Sequence, residues 1–309
     1  MFGDRHTAPG HNRGRCCRVS LPAVPPTAAA SVMRDKATII EAPDGTMALV
    51  GTGGDGIGTY NISTATAFVV AGCGVPVAKH GNKAVSSKSG AADVLSSLGI
   101  NLDCDMALVR QALTEAGICF LMAPRHHSAM RHVGPVRAEL GIRTIFNMLG
   151  PLANPALVKR IMVGVFDPGL CVPFAHALSS LGTTHAWVVH GADGLDEVST
   201  TGETQVAALE NGAVREFTLS PDDLGLATVS IDALRGGSPE ENAASLRDLL
   251  GGTTGAYRDV VVLNAAAALV AGGHATDLTI AAERVTASID GGNALAALDR
   301  LVAVTNSGN

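Results

Sequence analysis

The sequence predicts an α/β fold, a mostly parallel central sheet flanked by helices, and three observations carry that expectation. From Ser31 onward, short β-branched runs alternate with Ala- and Leu-rich segments of helical period. Several of the strand-like runs end in glycine-containing loops, as parallel strands do where they deliver the chain to the ligand edge of a sheet. Among the 309 residues, 47% are hydrophobic and 16% charged, with 36 glycines, which describes a large packed core and excludes a disordered chain.

The elements follow in order. Residues 1–30 carry Arg5, Arg13, Arg15 and Arg18 with Pro22, Pro25 and Pro26 but no continuous apolar core, so they read as disordered and not as a secretory signal. Met47 to Val50 is a strand that ends at the loop Gly51 to Gly56. Ser63 to Gly72 is then a buried helix, capped by Asn61 or Ser63. Val75 to Ala78 is the next strand, and Ala91 to Leu98 a short helix closed by Gly99. Between Arg125 and Glu139 the residues His127, Met130, Gly134 and Arg137 fall on one helical face, with a kink expected at Pro135. Further strands are Ile161 to Val165, Ala186 to Val189 and Gln205 to Leu209, the last running into a tight reversal at Asn211-Gly212. The closing helices are Pro239 to Leu249, Arg258 to Ala271, and Asp277 to Asp290 with its continuation toward Val304. The longest apolar run, Val260 to Gly272, is interrupted by Asn264 and is too short to cross a bilayer.

A formal net charge of -6 offers no general attraction to nucleic acid or an anionic membrane, so neither is an expected partner and any phosphate site must be local. The six cysteines show no C-x-x-C spacing, and those after residue 30 stand singly in apolar stretches, which fits a reducing, cytoplasmic compartment.

Four segments carry chemistry. Gly51-Thr52-Gly53-Gly54-Asp55-Gly56 follows a strand, and glycines let backbone N–H groups approach a phosphate. It satisfies the dinucleotide fingerprint, but no acidic residue stands about 20 positions on, and a plain tight turn is the other reading. Asn61-Ile62-Ser63-Thr64 offers a hydroxyl and helix-terminal N–H groups, or simply an N-cap. Lys79-His80-Gly81-Asn82-Lys83 runs on to Ser86-Ser87-Lys88-Ser89-Gly90, bringing cations and hydroxyls to one loop; a solvated surface is its bland reading. Asp196-Glu197 follows the loop His190 to Gly194; adjacent carboxylates suit magnesium bridged to a diphosphate, although such a pair is more often a solvated helix start. The His127 to Arg137 face places a guanidinium beside apolar surface, suited to a flat aromatic carboxylate or to a half-buried helix with a snorkelling Arg. His176, His185 and His274 read as structural.

In this order the segments resemble the anthranilate phosphoribosyltransferase family, whose hallmarks are a GTGGDG loop, an NIST segment, a KHGN loop, an APRHH...VR...LG.RT.FN.LGPL.NP stretch and an HG.DGLDE segment. They stand here as Gly51 to Gly56, Asn61 to Thr64, Lys79 to Asn82, Ala123 to Pro155 and His190 to Glu197, so the likeness runs from about Val32 to Val304. The resemblance implies transfer of a 5-phosphoribosyl group from phosphoribosyl pyrophosphate to the amine of anthranilate in tryptophan biosynthesis. It implies a fold of the nucleoside phosphorylase/phosphoribosyltransferase type, with a small helical domain hinged to the large one. On that pattern residues 31–46 and 125–157 form the small domain, here incomplete, and residues 47–124 and 158–309 the α/β catalytic domain.

Carried over by position, the resemblance gives the phosphoribosyl pyrophosphate site to Gly51, Gly54, Asp55, Thr59, Asn61, Ile62, Ser63, Thr64, Lys79, His80, Gly81, Asn82, Lys83, Ala84, Val85, Ser86, Ser87 and Ala91. It gives anthranilate Gly51, Asn82 and Arg137, with His80, Pro124 and His127 along its route. Ser63, Asp196 and Glu197 would hold Mg2+, two ions per site, and no covalent nucleophile is expected. A homodimer is the family's usual assembly. Two departures stand out: Ala48-Leu49 replaces an Asp-containing dipeptide, and Gly90-Ala91-Ala92-Asp93 lacks the serine of a GSAD segment. The first 30 residues also lack the amphipathic helices with which the family opens. A nucleoside phosphorylase, a nucleic-acid-binding relative of the same fold and an inactive truncated member are the competing readings.

Overall fold

The computed structural model describes residues 26–53, 55–83, 89–134, 136, 139 and 144–308. Gly54, Ala84, Val85, Ser86, Ser87, Pro135, Arg137 and residues 1–25, all of which carried expectations, lie outside the described residues.

The described helices are α1 (Pro26–Asp35), α2 (Ile62–Gly72), α3 (Ala91–Ser97), α4 (Met106–Glu115), α5 (Ala123–His126), α6 (Ile145–Leu152), α7 (Cys171–Ser180), α8 (Pro239–Leu250), α9 (Ala256–Ala271), α10 (Leu278–Asp290) and α11 (Asn293–Asn306). The strands are β1 (Met47–Gly51), β2 (Val77–Gly81), β3 (Ile118–Met122), β4 (Arg160–Gly164), β5 (His185–Gly191), β6 (Thr204–Glu210) and β7 (Ala213–Leu219), in the sheet order β3-β2-β1-β4-β5-β6-β7. β3 through β5 along that order are parallel, and β6 and β7 join antiparallel. The mostly parallel sheet expected from the sequence is therefore present.

Period-two alternation divides the side chains of the central strands between two cores. Met47, Leu49, Met162, Trp187 and Val189 enter one, while Ala48, Ile161, Val163, Ala186 and Val188 enter the other. The first core holds α2 and α9, whose side chains are apolar almost all round because neighbours cover every face. A methyl on Gly72 would overlap Ser288 and Ala294, so α2 meets the start of α11 at backbone distance. The second core holds α7, and α1 packs there against α6 and α7.

From β1 the chain moves outward to β2 and β3, then returns across β1 to β4 and β5. The reversal lies between β1 and β4, and a crevice opens at such a point beyond the carboxyl ends of the strands.

Several boundaries differ from expectation for identifiable reasons. The helix α1 begins five residues inside the stretch expected to be disordered, because Ala30 is fully buried in the second core. β2 starts after Pro76, which has no N–H for a ladder, and continues through Lys79 and His80, expected in the loop. The face drawn from His127 to Arg137 is not one helix: at His127 the backbone leaves helical angles (φ -113°, ψ 71°), separating α5 from the 3-10 turn Ser128–His132. Gly292, at φ +75°, splits the last helical run into α10 and α11. Asn211 (φ +48°) and Gly212 (φ +87°) form the two-residue reversal between β6 and β7 as expected. α4, α7, β3 and β7 were not anticipated.

Candidate active site

At the crevice the ends of β1, β2 and β5 bring three of the four chemistry-bearing segments to one place, and the fourth, at Asn61, adjoins them through α2. A cavity of about 300 Å3 is lined by Gly51, Thr52, Gly53, Ser63, Lys79, His80, Gly81, Asn82, Lys83 and Ala91 on its polar side. Met33, Pro124, His127, Met130, Phe146 and Pro151 supply much of the remaining wall.

The loop after β5 is folded onto itself by Asp193. Its carboxylate accepts hydrogen bonds from Leu195 N (3.0 Å), from Ser199 Oγ (2.7 Å) and from the Thr201 hydroxyl. A side chain on Gly191 would strike that carboxylate. The loop then turns Asp196 and Glu197 inward, where they are 7% and 8% exposed.

Asp196 Oδ2 accepts from Gly53 N at 2.6 Å, and Glu197 Oε1 from Ser63 N at 3.1 Å. The glycine loop and the N-terminus of α2 thus grip the acid pair through backbone donors. This is also the cap of α2: Asn61 occupies the N-cap position without a side-chain cap bond, and Glu197 satisfies the first free N–H. The Asn61 amide is engaged elsewhere, with Ser89 Oγ and O (both 3.4 Å) and with Asn242 Nδ2 (3.0 Å), while Tyr257 donates to its carbonyl at 3.4 Å.

Lys79, only 3% exposed, donates to Leu49 O (3.1 Å) and Ser63 Oγ (3.2 Å). No ion pair within 4.0 Å links it to either acid among the described residues. Burial disfavours charge on all three groups. It raises the Asp196 carboxyl, with Asp55 adding repulsion, and raises Glu197, with Asp196 adding repulsion; it lowers the Lys79 ammonium against the pull of both acids.

Two desolvated carboxylates held by amides, with no cation in contact among the described residues, form a donor set that fits a divalent metal. Among the described residues no group of three or more His, Cys, Asp or Glu could hold an ion alone. Magnesium suits such a place because it accepts one or two carboxylates and takes phosphate oxygens and water for the rest.

Glycine at two strand ends is required by Asp196. A methyl on Gly51 would stand 2.9 Å from Asp196 Cγ, and one on Gly164 would stand 3.0 Å from Asp196 Cα and overlap its carbonyl. The Gly51 backbone was expected to make room for a phosphate; it also makes room for an acid.

His80 is buried, and its Nδ1 lies 3.2 Å from Gly150 O. Burial, with further opposition from His127, His126 and Lys79, pushes its pKa down to about 3, so the ring is neutral. His127 meets it edge to face at 5.2 Å between ring centres, and the Nε2 atoms of both rings are buried without a partner among the described residues.

Not every sequence-derived residue reaches the cavity. Ile62, 1% exposed, and Thr64, 1% exposed, point into α2's packed surroundings. Thr59 pairs with Arg235 in an isolated bridge, and Asp55 accepts from Ile57 N at 3.2 Å within its own loop. Met33, Thr52, Phe146, Asn147 and Gly150 line the cavity without having been singled out. Met33 and Phe146 are apolar residues that nothing in local sequence distinguishes from core. Asn147 and Gly150 fall within the FN.LGPL segment, which was the available signal.

Residues 44–295 match the family described as glycosyl transferase family, a/b domain. An anthranilate phosphoribosyltransferase of Parvibaculum lavamentivorans is 56% identical over 283 residues, 92% of this chain and 83% of that protein. Among solved structures, the anthranilate phosphoribosyltransferase of Thermus thermophilus superposes with a TM-score of 0.85 at 43% identity, covering 91% of this chain and 84% of that one. The Saccharomyces cerevisiae enzyme in complex with PRPP and Mg superposes with a TM-score of 0.82 at 32% identity, covering 91% and 80%.

Proposed function

The chain belongs to the anthranilate phosphoribosyltransferase family, and we propose that Asp196, Glu197 and Ser63 hold magnesium against the diphosphate of phosphoribosyl pyrophosphate while the apolar wall of the cavity receives anthranilate. The reaction is transfer of the 5-phosphoribosyl group from phosphoribosyl pyrophosphate to the amine of anthranilate, giving N-(5-phosphoribosyl)anthranilate and pyrophosphate, the second step of tryptophan biosynthesis. The single observation that carries the site assignment is that a buried acid pair stands directly behind Gly53 and Ser63, which line one cavity together with buried Lys79.

The C1–O bond to pyrophosphate breaks, positive charge gathers on the ribose, and the amine forms the new C1–N bond and releases a proton. The protein therefore has to receive an anion and aim an amine, and no covalent nucleophile is needed. Magnesium, when bound, neutralises charge developing on the leaving diphosphate. Lys79 adds one fixed positive charge from within the fold, where weak screening strengthens it. Gly51, Ser63, Ala91 and the residues from Lys79 to Lys83, all in the cavity wall, receive the phosphoribosyl group. We assign two ions to the acid pair with Ser63, the number that the resemblance of the motifs implies.

Anthranilate lies against Asn82 and Arg137, with His80, Pro124 and His127 along its path. Neutral His80 suits that path: it presents a hydrogen-bonding nitrogen without drawing the anthranilate carboxylate away from Arg137. The working form is a homodimer in the cytoplasm. No helix among the described residues is long and apolar enough to cross a membrane.

The test follows anthranilate fluorescence on adding phosphoribosyl pyrophosphate and Mg2+ to the parent and to the variant Asp196→Asn with Glu197→Gln. Consumption by the parent, with lower turnover and a raised magnesium requirement in the variant, is expected. An unchanged magnesium titration would remove both acids from the site.

A further inference from the structure

Asn264 is the one polar residue in the middle of the apolar surface of α9 between Val260 and Ala271, and it is 0% exposed. An unpartnered amide there would be strongly unfavourable, so its bonds identify what it does. Its Oδ1 accepts from Val198 N at 2.9 Å, and its Nδ2 donates to Val198 O at 2.7 Å and to Val260 O at 2.8 Å. The amide thus pairs both ways with the backbone of one residue, as a neighbouring strand would. β5 has already ended at Gly191, so the ladder itself supplies no such partner at Val198.

Val198 directly follows Glu197. On its near side the same loop is closed by Asp193, and on its far side Asn264 ties it to the longest buried helix. We propose that Asn264 is a positioning residue for the metal-holding acids: it fixes the backbone at Val198 so that Glu197 and Asp196 face Ser63 and Gly53. This rests on the reading that those acids hold magnesium.

The test measures Mn2+ binding by electron paramagnetic resonance in the presence of inorganic pyrophosphate, with the parent, Asn264→Leu and Glu197→Gln. The melting curve shows that each is folded, and the anthranilate KM is measured in parallel. Asn264→Leu is expected to weaken Mn2+ about tenfold or more, as loss of a ligand's supporting hydrogen bonds does, while the anthranilate KM stays within about twofold. If Asn264→Leu binds Mn2+ like the parent while Glu197→Gln does not, the positioning role is wrong and the site stands. If both bind like the parent, the metal site itself is wrong and the inference goes with it. Should Asn264→Leu not fold, Asn264→Asp, the same shape but with a donor removed at neutral pH, is judged by the same thresholds.

Discussion

Replacing Gly164 by Ala would probe the metal-holding loop without touching a residue assigned to substrate. Gly164 ends β4 and pairs in register with Gly51 of β1 and Val189 of β5, so three hydrogen-bonded strands hold its position. The added methyl would stand 3.0 Å from Asp196 Cα, with the carbonyl of the same residue closer still. Non-bonded atoms rest at about 3.5–4.0 Å, and because the carbonyl atoms lie far inside that distance the Asp196 peptide would have to retreat by roughly 2 Å. The bond from Gly53 N to Asp196 Oδ2, 2.6 Å long, does not survive such a shift with the loop otherwise in place. A misplacement of even about 1 Å costs about 100-fold in rate, so the loss expected is at least about 100-fold, which at 1.36 kcal/mol per decade is about 2.7 kcal/mol of transition-state stabilisation. The assay is steady-state loss of anthranilate fluorescence at saturating phosphoribosyl pyrophosphate across a magnesium series. Gly202→Ala is the control, because a methyl there meets nothing within 4 Å. A Gly164→Ala enzyme that is folded, turns over within about threefold of the parent and has the parent's magnesium dependence would refute the argument that Asp196 must stay where it is.

His80 stays neutral in the fold, with its pKa pushed down to about 3, whereas the unfolded chain takes up that proton near pH 6.5. Stability from this site is therefore present above pH 6.5 and lost as the pH falls below it; between pH 7 and 5 the loss is about 2 kcal/mol, and His80→Gln should show that much less decline in urea melts. Phe174→Ala empties part of the second core, where the ring is 2% exposed, and should lower the urea-unfolding free energy by about 3–5 kcal/mol. In a background with Cys16 and Cys17 replaced by Ser, a thiol reagent should modify half-buried Cys73 first, while Cys119, fully covered and pushed up to about 12 by burial, should react only on the timescale of global unfolding.

Much of this protein is legible in local sequence. Alternation and short apolar runs bounded by turn residues locate β1, β4, β5 and β6, because a strand with two buried faces needs little beyond its own side chains to be recognised. The Asn211-Gly212 reversal is likewise local, since its two left-handed residues fix the hairpin. The motifs singled out Ser63, Lys79, Asp196 and Glu197, which the fold gathers around the start of α2 and the glycine loop. Sequence spacing could not show that Lys79 lies within a strand, that helical geometry stops at His127, or that Met33 and Phe146 reach the cavity. Each depends on what lies opposite: a carbonyl at Leu49 to hold an ammonium, an α6 carbonyl at Gly150 facing His80, and walls contributed from distant segments. The roles of Gly164 and Asn264 are of the same kind. A glycine at the end of a strand and an asparagine in an apolar helix look like minor interruptions until the fold sets both against the backbone of one acidic loop, since close approach and paired hydrogen bonds exist only between segments that folding brings together.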